Sequence, residues 1–209
     1  MGCGVVLAVL LFIVVIAALA LGGSYNRLVT LDQEVNKRWG DVQTVYQRRA
    51  DLIPNLVNTV AGAANFEKST LTEVTNARAS VGRVQLDPTK APTDAAQLQQ
   101  FQAAQGQLSN ALSRLLLVSE RYPELRATQN FRELQAQLEG TENRITVERQ
   151  KFNEAVQRYN TSVKSFPTLF LARMFGFQPK PYFVAKEGSE TPPQVEFDFG
   201  KQKTAPAKP

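Results

Sequence analysis

The strongest constraint on this chain is a helical stripe of apolar residues with a proline inside it. The apolar positions are separated mostly by three, four or seven residues, which is typical of one buried face of a long α-helix. Pro54 falls within the stripe, where it lacks a backbone donor and crowds the preceding turn. Because the stripe keeps its phase on both sides, we predict one helix from Tyr25 to Val81, kinked at Pro54 and ended by Gly82, with two helices separated at Pro54 as the alternative. The stripe comprises Leu28, Leu31, Val35, Val42, Val45, Leu52, Leu56, Val60, Leu71 and Val74.

Two later segments repeat this spacing and predict partner helices. The first follows a Thr93 cap and ends near Arg121, because Pro123 biases the residue before it away from helix. The second begins at Asn130, whose capping partner is Glu133. Strand patterns of period two are scarce, so the predicted fold is all-α, an antiparallel up-and-down bundle of long helices. The two buried faces are Leu98, Phe101, Gln105, Leu108, Leu112 and Leu115, and Leu134, Leu138, Thr141, Ile145, Phe152, Val156, Tyr159 and Val163.

An unbroken apolar run from Val5 to Leu21 precedes the bundle. Its length reaches the lower edge of the about 17–25 residues that cross a bilayer, so we predict a transmembrane helix in contact with lipid. No basic residue precedes the run, as a cleaved secretory signal would require, and Ser24 offers no thiol for a lipoprotein anchor. Arg27, Lys37 and Arg38 follow the run, which favours an N-terminus outside and a cytoplasmic bundle in a single-pass protein. A periplasmic bundle is the alternative.

The chain divides into three predicted parts. Residues 1–23 form the tip and transmembrane helix, residues 24–178 the bundle, and residues 179–209 a tail that is rich in Pro, Lys and Glu and is expected to be disordered. Within the bundle, Thr168 to Phe177 predicts a short apolar helix. We expect this helix to cover one end of the bundle, with contact to the membrane surface as the alternative.

Composition excludes several kinds of chemistry. The chain has no histidine and one cysteine, Cys3, which removes histidine acid–base catalysis and the common zinc-binding patterns. We therefore expect no metal and no cofactor. The formal net charge is +5, but the basic residues alternate with acidic ones along the helices and form no block. Binding to nucleic acid is accordingly not expected.

Arg49 is the polar residue that does not fit the stripe, because its heptad position is otherwise apolar. A buried guanidinium needs a carboxylate, for which Glu142 and Glu148 are candidates. A kink at Pro54 would also free a backbone carbonyl for Arg49 or Asn55. We predict a buried polar network that fixes helix register, formed from Arg49, Asp51, Asn55, Glu142, Asn143 and Arg149. The alternative is an anion-binding site at Arg48, Arg49, Arg144 and Arg149.

Several segments, in this order along the chain, resemble the bacterial LemA family. The most specific are Arg48-Arg49-Ala50-Asp51-Leu52-Ile53-Pro54-Asn55-Leu56-Val57 and Thr141-Glu142-Asn143-Arg144-Ile145, supported by Tyr122-Pro123-Glu124-Leu125 and Phe166-Pro167. The resemblance extends from the apolar run to about Phe183. It implies a membrane-tethered antiparallel bundle with a short outside N-terminus, and it supplies no catalytic residues. Some relatives are lipoproteins whose bundle faces the periplasm, from which this chain departs at Ser24.

The expected function is that of a non-enzymatic, membrane-anchored scaffold or interaction protein of the bacterial envelope. Anchoring raises effective concentration, which favours homo-oligomers or a membrane-protein partner. The alternative is a sensor that binds an anionic small ligand or lipid headgroup at Arg48 and Arg49, with the Pro54 kink as a two-state element. An enzyme built on Asp51, Glu67 and Glu142 is the weakest interpretation, because no partner group converges on them.

Overall fold

The computed structural model describes residues 2–63, 66–84 and 86–184, and within residues 2–20 it describes only some side chains. Six helices are formed by these residues, which confirms the predicted all-α bundle. They are α1 (Gly2–Ala61), α2 (Lys68–Arg83), α3 (Ala95–Ser119), α4 (Pro123–Ala127), α5 (Gln129–Lys164) and α6 (Thr168–Phe175). The most extensive packing joins α1 to α5, and α2 packs mainly on α3.

The predicted single helix from Tyr25 to Val81 is wrong, because the chain reverses after Ala61. The N–H of Gly62 donates to the Asn58 carbonyl at 3.2 Å, and α2 then returns antiparallel along the last part of α1. The last part of α1 and the whole of α2 bury their apolar residues in the same core cluster, so the apolar phase continues across the turn. Glycine commonly ends helices, and Gly62 is the sequence signal that indicates this break.

Pro54 lies inside α1 and neither ends nor reverses it. A proline at this position leaves the carbonyl of Ala50, four residues earlier, without its helical donor. The guanidinium Nε of Arg78 donates to that oxygen at 3.3 Å. The freed carbonyl is therefore bonded by a side chain from α2 and not, as predicted, by Arg49 or Asn55. The kink itself stays a prediction.

Two helix caps also differ from the sequence prediction. Asp94, not Thr93, caps α3, since its carboxylate accepts the N–H of Ala96 at 2.8 Å. Thr128, not Asn130, caps α5, and its hydroxyl accepts the N–H of Phe131 at 3.4 Å. In both cases the side chain that reaches the exposed N–H groups two or three residues ahead takes the cap position.

The bundle buries two core clusters that follow one another along its length. The first is aromatic: the ring of Trp39 lies 5.8 Å from Phe101 and 5.7 Å from Phe152. The second includes Leu56, Leu115 and Phe131, with partners from Ile53, Val60, Phe66, Val74, Leu108, Leu112, Leu125 and Leu138. The first cluster lies toward α6 and the second toward the turn between α1 and α2.

Residues 177–184, here called the strap, run as extended chain along α5. The amide side chain of Asn160 bonds both the N–H and the carbonyl of Lys180 at 2.8 Å. Asn153 does the same for Phe183 at 2.9 Å. Phe183 is buried, with its ring stacked 6.1 Å from that of Trp39. Packed structure thus reaches Val184, beyond residue 179 where the predicted tail begins; residues 185–209 of that tail lie outside the described residues.

None of the helices formed by described residues meets the length and apolarity that a membrane crossing requires. The predicted transmembrane ends, Val5 and Leu21, both belong to α1. The side chain of Val5 lies outside the described residues.

The bond between Arg78 and the Ala50 carbonyl predicts a coupling with Pro54. Arg78→Met alone should lower the free energy of unfolding by about 0.5–1.5 kcal/mol, the usual net value of one hydrogen bond. In a Pro54→Ala background the same change should cost less, because the restored N–H at position 54 bonds that carbonyl. Chemical denaturation followed through the buried Trp39 measures this double-mutant cycle. Arg83→Met, at the exposed end of α2, is the control, and additive effects of Pro54→Ala and Arg78→Met would contradict the assignment.

Candidate functional site

A polar layer separates the two core clusters. Arg49 of α1, Gln105 of α3 and Thr141 of α5 each occupy a position on an apolar stripe, and all three are buried. Apolar residues precede and follow each of them on the same stripe, as Tyr46 and Ile53 do for Arg49. Three helices therefore present polar groups at one level of an otherwise apolar interior.

Arg49 makes most of the contacts in this layer. Its Nη1 donates to the Glu142 carboxylate and to the Ser109 hydroxyl, both at 2.8 Å. Its Nη2 donates to the side-chain oxygen of Gln105. The guanidinium also lies 5.2 Å from the ring centre of Tyr46, within the range of a cation–π contact. One side chain thus connects α1 to both α3 and α5.

The ion pair is asymmetric in its exposure to solvent. The Arg49 side chain is 2% exposed, whereas that of Glu142 is 51% exposed, so the carboxylate lies at the edge of the bundle. Arg49 Nε is buried without a hydrogen-bond partner among the described residues. Burial raises the pKa of the Tyr46 hydroxyl, and the positive charges of Arg149 and Arg49 partly oppose that rise. The site therefore consists of a buried guanidinium that is neutralised by a carboxylate at the solvent-exposed edge of the bundle.

The structure brings three residues of the predicted network to this layer: Arg49 pairs with Glu142, and Arg149 is hydrogen-bonded with Tyr46, over whose ring Arg49 lies. Asp51 accepts a bond from Gln47 at 2.8 Å on the surface of α1. Asn55 and Asn143 are exposed. Glu148, the other candidate partner of Arg49, pairs instead with Lys151 at 2.8 Å.

Arg149 acts on the strap. Its guanidinium donates to the Val184 carbonyl at 3.1 Å and lies 4.8 Å over the Phe183 ring. Arg48 and Arg144 are exposed, and neither forms an ion pair with another described residue. Of the four arginines of the alternative anion site, Arg49 and Arg149 thus meet at Tyr46, and Glu142 already neutralises Arg49.

A second buried charge, Lys180, was missed by sequence reasoning. Its ammonium group lies 2.6 Å from the Asp32 carboxylate and donates to the Asn36 side chain at 3.1 Å. It also lies 5.2 Å over the ring of Tyr159. Burial, together with the negative charge of Asp32, raises the pKa of Tyr159 to about 12. A lysine in a proline-rich segment gives no sequence signal for this burial, because its partners are far away along the chain.

The predicted polar network also lacked Gln105 and Ser109, although Gln105 lies on the predicted apolar face of α3. An amide on such a face is a usable signal, because a buried side-chain amide must find a polar partner. The partner of Gln105 is Arg49 on α1. The spacing of apolar residues does not specify how α1 and α3 are aligned along the bundle axis, so it could not identify this pair.

The structure places the acidic residues Asp51, Glu67 and Glu142 apart from one another. Glu67 pairs with Arg121 at 2.7 Å near the turn between α1 and α2, far along the bundle from Glu142, while Asp51 is on the surface. Across residues 2–63, 66–84 and 86–184, no group of three or more metal-binding side chains could hold an ion. Two cavities, of about 660 and about 530 Å³, lie at opposite ends of the bundle and not at Arg49.

Comparison with known proteins identifies the family. The family model described as the LemA family matches residues 38–197, which is more than half of the chain. The chain belongs to the LemA family, which confirms the resemblance seen in the sequence. The matched residues include the polar layer and the strap.

The curated relatives are distant in sequence, and the chain spans about seven tenths of their length. Magnetosome protein MamQ 2 of Paramagnetospirillum magneticum is 26% identical over 206 residues, covering 90% of this chain and 74% of the relative. Magnetosome protein MamQ of Magnetospirillum gryphiswaldense is 26% identical, covering 82% and 70%. Protein LemA of Metamycoplasma hominis is 22% identical, covering 79% and 71%.

The polar layer predicts that removing the carboxylate destabilises the bundle. Glu142→Gln should lower the free energy of unfolding by about 1–3 kcal/mol, because it leaves the Arg49 charge unpaired while solvent at the half-exposed site limits the loss. Denaturation followed through Trp39 measures this change. Glu139→Gln, which removes an exposed carboxylate from the same helix, should stay within about 0.5 kcal/mol of the unsubstituted protein. Equal losses in the two variants would show that the pair with Arg49 has no special role.

Proposed function

We propose that this protein is a non-enzymatic scaffold or interaction protein of the bacterial envelope, anchored in the membrane by residues 5–21. The observation that carries the proposal is the continuity of α1, which runs from the apolar segment directly into both core clusters. A rigid helix of this kind would hold the bundle at a fixed place on the membrane. The LemA family model matches residues 38–197, which supports the bundle as the working part of such a protein.

The apolar segment leaves large side chains without cover. Leu11 and Phe12 are 67% and 65% exposed, and the same holds to a lesser degree for Leu7, Val9, Leu10, Val15, Ile16 and Leu21. Uncovered apolar area of this size is unfavourable in water by about 25 cal/mol per Å². Lipid is the surrounding that removes this cost for a single helix. The basic residues Arg27, Lys37 and Arg38 support a cytoplasmic bundle, and a periplasmic bundle is the alternative.

Self-association is the second part of the proposal. Leu117 on α3 and Val147 on α5 are large apolar side chains on the bundle surface, 65% and 47% exposed. Anchored molecules are confined to two dimensions, so weak contacts between such surfaces become effective. The same exposed apolar surfaces would also suit binding to an unidentified membrane protein. The alternative function, a sensor at Arg48 and Arg49, has less support because Arg49 is already buried and paired.

Membrane anchoring is tested by placing charge in the apolar segment. Leu11→Arg/Val15→Arg should move the full-length protein from the carbonate-resistant membrane pellet to the supernatant, because each central arginine costs about 2.5–3.5 kcal/mol on insertion. A C-terminal tag on the unsubstituted protein should resist protease in spheroplasts and be cleaved in lysed membranes.

The matched control for anchoring is Thr30→Arg/Gln33→Arg, which adds the same charge to exposed positions of α1 beyond the apolar segment. This variant should stay in the pellet. Unsubstituted protein in the supernatant would refute the anchor, and tag cleavage in spheroplasts would place the bundle in the periplasm.

Self-association is tested by replacing the exposed apolar side chains of the bundle. Leu117→Ser/Val147→Ser should reduce chemical crosslinking between full-length molecules in membranes severalfold, while Leu115→Ser would instead unfold the buried core. Crosslinking that persists at the original level in the double variant would show that another surface, or none, mediates assembly.

A further inference from the structure

The end of the bundle nearest the apolar segment is closed by α6. This helix buries Leu171 and Ala172, and its Phe175 ring lies 4.8 Å from that of Tyr25 on α1. Tyr25 is four residues beyond Leu21, the last residue of the apolar run, which is about 6 Å along a helix. The outer surface of α6 therefore lies close to the point where the proposed anchor leaves the membrane.

The outer face of this end is apolar where a water-facing helix would be polar. Phe166, Phe170 and Met174 are spaced by four residues and are 81%, 64% and 69% exposed. The rings of Phe166 and Phe170 lie 6.0 Å apart, so they form one patch. Helices with an apolar outer face and basic neighbours lie in the membrane interface.

The charge at this end has one sign. Residues 22–31 and 155–184 contain no Asp or Glu. They contain Arg27, Arg158, Lys164 and Arg173, in addition to the Lys180 that Asp32 neutralises. Anionic leaflets attract basic groups placed within a Debye length of their surface. Both the apolar patch and the basic groups thus match the surface of an anionic bilayer.

A cavity of about 530 Å³ opens between α1, the end of α5 and the turn into α6. Arg27 and Arg158 line it from two different helices, together with the hydroxyl-bearing residues Thr161, Ser165 and Thr168. Among the residues that the structure describes, no acidic one lines the cavity, and neither arginine forms an ion pair. Two guanidinium groups with neighbouring hydroxyls are the donor set that binds phosphate.

We infer that this end of the bundle lies on the bilayer, and that the cavity binds the phosphate of an anionic phospholipid between Arg27 and Arg158. The inference rests on the proposed anchoring by residues 5–21. A free phosphate has the same charge chemistry, but only a lipid also covers Phe166, Phe170 and Met174. The lipid headgroup is therefore the occupant that accounts for the apolar patch and the cavity together.

The test uses full-length Phe170→Trp protein in nanodiscs of phosphatidylcholine that carry a spin-labelled lipid quencher near the headgroup. Quenching of the new tryptophan should increase as phosphatidylglycerol replaces phosphatidylcholine. The buried Trp39, measured in the unsubstituted protein, supplies the unquenched reference. Arg27→Gln or Arg158→Gln should each raise the phosphatidylglycerol fraction at half-maximal quenching about fivefold.

The control is Arg126→Gln, which removes an exposed positive charge from the opposite end of the bundle and should cause no such shift. Protein that stays in the nanodiscs while position 170 is unquenched would overturn the inference and leave the anchor intact. Protein that fails to enter the nanodiscs would instead refute the proposed anchoring. Inorganic phosphate that binds in detergent through Arg27 and Arg158, with no dependence of quenching on phosphatidylglycerol, would identify a free-phosphate site and also overturn the inference.

Discussion

The fold depends on one buried guanidinium whose partners lie on two other helices. Arg49 on α1 needs the Gln105 oxygen of α3 and the Glu142 carboxylate of α5, so three helices must meet at one level of the bundle. Sliding a helix by one turn would keep most apolar contacts but would leave a charge in the core, which costs several kcal/mol. Apolar stripes alone allow several registers, and the polar layer selects one of them.

This layer also divides the bundle into ends of different chemistry. On one side lie the aromatic cluster, the strap and α6; ion pairs such as Arg38 with Glu34 and Lys151 with Glu148 lie on its flanks, and the tip at α6 is apolar and basic. On the other side lie α2 and α4, where the surface carries ion pairs such as Glu67 with Arg121 and Glu73 with Arg114. Paired charges therefore occur on both sides of the polar layer, and the apolar and basic surface is a local property of the tip at α6.

Periodicity predicted the helical class and the buried faces of α3 and α5, because spacing reports which side of a helix avoids water. It did not locate the reversal at Gly62, since the last part of α1 and the whole of α2 bury their apolar residues in the same core cluster and the pattern continues across the turn. The need of Arg49 for a carboxylate followed from its position on the stripe. The sequence did not show that Glu142, and not Glu148, is that carboxylate, because the choice depends on how α1 and α5 are aligned along the bundle axis. Lys180 gave no signal, since the proline-rich composition around it is also typical of disordered chain.

The strap is held through its backbone, and this has a consequence for how its sequence can vary. Asn153 and Asn160 bond the peptide groups of Phe183 and Lys180, whatever residues lie between. Seven helical residues rise about 10.5 Å, which equals the reach of three extended residues at about 3.4 Å each. Positions 181 and 182 should therefore tolerate substitution. One inserted residue, in contrast, would prevent the two asparagines from bonding the strap at the same time. Natural selection on this segment should conserve its length more strictly than its composition.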